Sequence, residues 1–577
     1  MHRASRVTTA AAIAACVWGA VVWAAPLVAV ASPRGASPAV VAPSAGASRS
    51  PSSGLAPRGV TGITAAQLRD YLTFIASDDL EGRDTPSRGL DITARFLATE
   101  LARAGAEPGG DNGTFFQTIA LTNRRVDAAK TTASMNGRAY RYGTDFLAGA
   151  GGAGRGAGAL TPGMAAGPMV YVGHGYVVKA KNLDAYKGLD VTGKILIAQS
   201  GLPSGVSRQD VRGTSSEWDS PVTYAAKHGA KGVIFIPTFE TLAGWDGARE
   251  RAAERGSTTM DAPASGSTAG SVPAITASAE MLQAIFEDEK LAAREIFRRA
   301  QANEPADAFA LDASKQMTFT VEATARAVNT QNVVAIVRGS DPVLKDEYVA
   351  LGAHYDHVGL GTGDGDIIFN GADDDGSGTT AILTIAETLA KLTPRPKRSF
   401  VFVWHAGEEH GLWGSKYFTD HPTVPMDHIV AQLNIDMIGR SRPANEKAGV
   451  NTDLTGPDET YVIGSKMMSS TLADVSEHVN ASFLKLKFNY KYDDPSDPNR
   501  FFFRSDHYNY ARKGVPIIFY FSGVHADYHR VSDSVDKIDF EKMEKITRTV
   551  YATALTLADT PARPKVDRSL PHELTEQ

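Results

Sequence analysis

The stretch Tyr348-Val349-Ala350-Leu351-Gly352-Ala353-His354-Tyr355-Asp356-His357 is an apolar run that ends in two imidazoles and a carboxylate. Other apolar runs end in the same way. Phe400 to Trp404 leads into His405 and then Glu408-Glu409, Ile429 to Ile435 leads into Asp436, and Val515 to Phe521 precedes Asp527-Tyr528-His529. Between the first two lies Asp373-Asp374-Asp375, followed at once by the helical spacing of Ala381, Ile382, Ile385 and Leu389. Short apolar runs without polar alternation fit strands buried on both faces. Such strands, separated by helical patterns, build an α/β sheet that carries its site at the strand C-termini.

Each cluster also has a bland reading. A His two residues from an Asp can be a hydrogen-bonded strand cap as easily as a metal ligand whose tautomer the Asp holds. Three consecutive acids can be a solvated helix N-terminus, but the helix dipole relieves only part of their repulsion and metal cations relieve it better. The alternating acids and final Glu of an EF-hand are absent, which argues against a calcium loop. Glu408 and Glu409 follow apolar residues directly, so a surface pair fits poorly. Adjacent glutamates can divide labour, one holding a metal while the other takes a proton from water. His405-Ala406-Gly407-Glu408-Glu409 nearly spells the inverted zincin motif, but the second His is Glu409 and the preceding residues read as strand. Asp436 lies between Ile435 and Met437, where a carboxylate is costly without a compensating cation. Together the clusters point to a hydrolytic site with two divalent metals.

Composition narrows the field. The 577 residues are 43% hydrophobic and 21% charged, enough for a large core and several domains, and the net charge of -6 offers no basic field for nucleic acid. Arg3 and Arg6 precede an apolar stretch, Ala10 to Ala31, with a small-residue end, the pattern of an export signal over residues 1–31. The expected location is the periplasm or the medium, with no membrane association once the signal is removed. The stretch is also long enough for a retained anchor, against which Pro26 and the small-residue end argue. Ile13-Ala14-Ala15-Cys16 resembles a lipobox, but strongly apolar residues continue past Cys16 where a lipoprotein tether would be polar. Cys16 is the single cysteine, so the mature chain has no thiol, and any metal must sit on His, Asp and Glu.

Residues 32–62, rich in Ser, Pro and Ala, read as a disordered leader. Leu68, Leu72 and Ile75 begin a helix, and Ile92, Phe96, Leu97 and Leu101 mark a second. The Gly- and Ala-rich stretch from Ala148 to Gly167 reads as a domain junction. Beyond it, Met169 to Val172, Lys194 to Ala198 and Gly232 to Ile236 are strands of a separate module over 148–324, in which Gly256 to Gly270 is a surface loop. The main domain is therefore expected in two parts, 63–147 and 325–560, with a tail over 561–577.

The motifs in order, Gly352-Ala353-His354-Tyr355-Asp356-His357, Gly371-Ala372-Asp373-Asp374-Asp375-Gly376-Ser377-Gly378, Gly407-Glu408-Glu409-His410-Gly411-Leu412-Trp413, Asn434-Ile435-Asp436-Met437-Ile438-Gly439 and Asp527-Tyr528-His529, resemble those of the co-catalytic zinc aminopeptidases, including secreted bacterial ones. Ser77 to Arg83 is similar to a segment common ahead of that catalytic core. The resemblance spans Ile63 to Asp145 and Ala325 to Leu557, and implies a mixed central sheet flanked by helices. The intervening module looks like a smaller, β-rich or α+β protease-associated domain. The resemblance further implies two Zn2+ per chain, His354 and Asp436 holding one, Glu409 and His529 the other, and Asp374 bridging both, often with a cis peptide bond after it. Asp356 would orient His354, Glu408 would be the general base and Tyr528 would stabilise the oxyanion. Asp506-His507 would be structural or would brace the ligands from behind. The implied substrates are peptides with a free N-terminus. A carboxypeptidase using Arg440 or Arg504, a glutaminyl cyclase, and a non-catalytic binding ectodomain remain alternatives, and the oligomeric state is not legible.

Overall fold

A computed structural model of the protein describes residues 56–570 apart from 150–159, 208–209, 212–216, 255, 261–270, 303, 305–306, 362 and 364. The segment expected as an export signal and most of the expected leader lie outside the described residues. The main sheet runs in the order Ser257–Met260, Phe116–Val126, Ala323–Val337, Ser399–His405, Tyr348–His354, Ile429–Ile435, Ile517–Phe521, Glu459–Ile463, Lys487–Asn489. Ser399–His405, Tyr348–His354, Ile429–Ile435 and Ile517–Phe521 are mutually parallel neighbours, and antiparallel pairs flank them, so the sheet is mixed.

Helices on both faces explain why these strands read as unbroken apolar runs. Phe400, Phe402 and Trp404 share one core with Leu72 and Leu97 of the helices Ala65–Ile75 and Arg88–Ala104, and with Ile385 and Val550 of Gly378–Ala390 and Phe540–Asp559. Val401 and Val403, pointing the other way, pack with Phe418 and Tyr510 of Trp413–Asp420 and His507–Arg512. Cap residues help set the helix starts: the side chains of Thr64 and Ser87 accept the N–H groups of Gln67 and Leu90.

A second sheet has the order Arg138–Tyr140, Thr132–Met135, Gln316–Val321, Gly163–Tyr171, Ile195–Gln199, Gly232–Ile236, Ala274–Ala277, Phe146–Ala148. Its core gathers Tyr171, Ile197, Ile234, Phe319 and Met281. Three sequence expectations need correction. The boundary at 147/148 moves to about Asp127, because Ala133, Met135, Tyr140 and Phe146 bury in this second core. The chain leaves and returns through adjacent positions, Asp127 N–H donating to the Glu322 carbonyl at 2.8 Å. The segment expected as a loop from Gly256 begins with the strand Ser257–Met260, which pairs with Leu121–Arg124 and occupies an edge that would otherwise present unpaired backbone groups. The expected leader is ordered at its end. Val60 is buried, and Arg58 pairs with Asp559 at 2.9 Å, which fixes this segment against the last long helix.

Candidate metal centre

The parallel strands deliver the site. Tyr348–His354 ends on His354 itself, Ile429–Ile435 is followed by Asp436, and Ser399–His405 turns at Gly407, φ 72°, into Glu408 and Glu409. The chain leaving Ile517–Phe521 reaches Tyr528 and His529. The acidic triplet immediately precedes helix Gly378–Ala390, and the Asp374-Asp375 peptide bond is cis.

The donors form two adjoining sets. In the first, His354 Nε2 lies 3.4 Å from Asp374 Oδ1 and 3.7 Å from Asp436 Oδ2. In the second, His529 Nε2 lies 3.0 Å from Asp374 Oδ2 and 2.9 Å from Glu409 Oε2. Asp374 thus faces one set with each carboxylate oxygen, and all five residues expected as ligands converge. Glu408 borders the first set, its Oε2 4.0 Å from His354 Nε2. Asp374 Oδ2 and Glu409 Oε1 are buried, and the imidazoles within 3.0 Å of them do not meet them in hydrogen-bonding geometry. Leaving a buried polar atom in that state costs about 1–3 kcal/mol, and a cation removes the cost. Imidazole and carboxylate donors suit zinc.

Charge is concentrated accordingly. Burial opposes protonation of His354, yet Glu408, Asp356, Asp374 and Asp436 outweigh it and hold its pKa well above the usual value. His529 behaves likewise: against burial, Asp374 and Glu409 raise it to about 9. Burial pushes the Glu408 carboxyl well above the carboxylate range, with His354 opposing and Glu409, Asp436 and Asp506 adding to the shift.

Around the donors, polar groups lock backbone and rings. His354 Nδ1–H donates to the Asp356 carbonyl oxygen at 3.1 Å, leaving Nε2 to face the centre. The Asp356 carboxylate, expected to orient the ring, stands 3.6 Å from Nδ1 and also accepts the Glu408 N–H at 3.2 Å. Asp375 accepts N–H groups from His354, Gly378 and Met437, and Asp373 accepts from Gly439 at 2.6 Å and faces His525. The outer acids of the triplet therefore tie strand ends together. His405 pairs with Asp506 at 3.2 Å, and His410 with Asp84 at 2.9 Å. His507 donates to the Phe502 carbonyl, in keeping with a structural role for Asp506-His507.

Two residues given no role from sequence are central. Arg83, fully buried, donates to the carbonyls of Ile75, Tyr355, Asn370 and Gly371, and so clamps the loops that carry His354 and the acidic triplet. Burial lowers its pKa to about 10, with Asp356 and Asp374 opposing. Arg83→Met is expected to cost about 3–5 kcal/mol, the scale for breaking a buried charged network, and Arg83→Lys should fail to restore it because one ammonium cannot reach four carbonyls. Urea unfolding of the metal-free variants measures both. His357, also fully buried, lies 2.9 Å from Glu409 Oε1. Its only sequence signal is its place at the end of an apolar run.

Tyr528 stacks on His529 with ring centroids 3.9 Å apart. Burial, together with Asp374, Glu409 and Glu408, drives its pKa well above the usual phenol value despite Arg504. Arg440, a candidate for holding a substrate carboxylate, is engaged by Asp527 at 2.7 Å. Arg504 lies over the ring of Phe501.

An α/β protein with paired His and carboxylate donor sets at the ends of its parallel strands is the class that fold and site define. Residues 332–554 match the model of peptidase family M28. Leucine aminopeptidase 2 of Arthroderma otae is 28% identical over 291 residues, 45% of this chain and 52% of that protein. Leucine aminopeptidase 2 of Trichophyton equinum is 27% identical over 270 residues, 41% and 48% respectively. The chain thus spans about half the length of these curated relatives. The aminopeptidase from Aneurinibacillus sp. strain AM-1 aligns over 88% of this chain and 97% of its own, with a TM-score of 0.52 at 18% identity, a likeness of fold.

Proposed function

We propose that this protein is a two-zinc aminopeptidase, exported by its N-terminal segment, whose second sheet is a protease-associated-like module. The observation that carries the reading is Asp374, whose two oxygens face separate donor sets beside Glu408. His354, Asp374 and Asp436 would hold one ion, and Asp374, Glu409 and His529 the other. When bound, such ions polarise a scissile carbonyl and lower the pKa of water toward about 7. Glu408 takes the proton of the attacking water and returns it to the leaving amine nitrogen. Asp356 fixes Glu408 through its backbone N–H, and the Tyr528 hydroxyl donates toward the developing oxyanion. The substrates are peptides with a free α-amino group, which binds beside the centre and confines cleavage to the N-terminal residue. Among the described residues no helix is long and apolar enough to cross a membrane.

A panel of aminoacyl and acyl-blocked chromogenic amides tests the reading. Free-amine substrates are expected to be cleaved, chelation to abolish turnover, and zinc to restore it. Cleavage of blocked substrates alone would overturn it.

A further inference from the structure

His357 has no part in either expected ligand set, yet its ring is seated as a donor would be. Nε2 is buried without a hydrogen-bond partner in the protein, and Nδ1, also buried, meets no acceptor in hydrogen-bonding geometry. Nδ1 lies 2.9 Å from Glu409 Oε1 and 3.7 Å from Asp374 Oδ2, the same two carboxylates that His529 Nε2 approaches at 2.9 and 3.0 Å. Donors sharing one tetrahedral zinc stand about 3.3 Å apart, and two such imidazoles put their ring centroids about 5 Å apart, given Zn–N bonds of about 2.0–2.1 Å. The His357 and His529 rings are 5.6 Å apart and inclined at 72°. The seat itself is shaped for the ring: a Cβ on Gly371 would come within 2.4 Å of His357 Cγ.

We infer that His357 is a fourth protein donor to the second cation, which makes the two sites unequal. The second set then has His357, Asp374, Glu409 and His529, the closed four-donor arrangement of tightly held zinc. The first, with His354, Asp374 and Asp436, keeps an open position next to Glu408. This rests on the two-cation reading above. Its consequence is an order of loading: the second site fills first and releases last, while the first exchanges.

The competing role is positioning, with the His357 N–H donating to Glu409 Oε1 and only orienting that ligand. Substitutions separate the two. His357→Gln keeps an N–H donor for Glu409 but is a poor zinc ligand, whereas His357→Asp keeps a ligand and loses the donor. Chelator competition, with zinc counted by mass spectrometry, is expected to show two ions in the unsubstituted protein. The tighter should weaken about 100-fold or more in His357→Gln and in His357→Ala, and by about tenfold or less in His357→Asp. Retention in His357→Gln with loss in His357→Asp, or unchanged affinity in all three, would overturn the inference. A crystal structure of the zinc-loaded, unsubstituted protein decides the matter whether or not the variants fold. Nδ1 should lie within about 0.2 Å of the zinc–imidazole bond length, and any non-bonding distance rejects His357 as a ligand. Fewer than two ions in the unsubstituted protein would instead count against the two-cation reading itself.

Discussion

Replacement of Glu408 by glutamine is expected to leave both cations bound and to lower kcat by about 10²–10⁴-fold, the range supplied by a positioned general base. The carboxylate borders the first donor set without belonging to it, 4.0 Å from His354 Nε2, so removing its charge takes no ligand from either ion. Its backbone is pinned by the Asp356 carboxylate, and an amide of the same shape fits the same place. What the amide lacks is a site for the proton. Zinc content by mass spectrometry and kcat on an aminoacyl nitroanilide together read the result. Turnover within tenfold of the original would remove Glu408 from the base role, and loss of zinc would mean that it binds metal.

Asp374→Ala should abolish activity through a different route, by losing both ions. Its Oδ1 serves the first set and its Oδ2 the second, so one truncation subtracts a donor from each. It also removes the carboxylate that His354, His357 and His529 share. Stripping one partner from a buried charged cluster costs about 3–5 kcal/mol, so the metal-free variant should unfold at lower denaturant concentration than the metal-free parent. Full zinc occupancy in Asp374→Ala would end its assignment as the bridge. Loss of a single ion would assign it to one set only.

Much of this centre is legible in the amino-acid sequence. Burial on both faces leaves an unbroken apolar run, and a carboxylate or imidazole at its end has to be accounted for, so the strands ending at His354, Asp436 and Glu408-Glu409 announce themselves. A period of two then sends Phe400 and Phe402 to one core and Val401 and Val403 to the other. The acidic triplet shows its importance by its repulsion, but not which acid faces the two donor sets. Asp373 and Asp375 are distinguished from Asp374 by the backbone N–H groups they accept from residues 439, 354, 378 and 437, contacts separated in sequence by up to 66 residues.

The local chain therefore carries the strands, the helices, their polarity and the donor types at their ends, because periodicity and burial act between near neighbours. Pairing belongs to the tertiary structure. That Ser257–Met260 completes the edge of the main sheet, that Thr132–Met135 leaves it for the second sheet, and that Arg83 reaches carbonyls 272 to 288 residues away depend on which surfaces meet in space. The same holds for His357. Nothing in its three-residue separation from His354 distinguishes a capped strand end from a place beside Glu409, since a side chain's partners are chosen by packing across the fold rather than by the residues on either side of it.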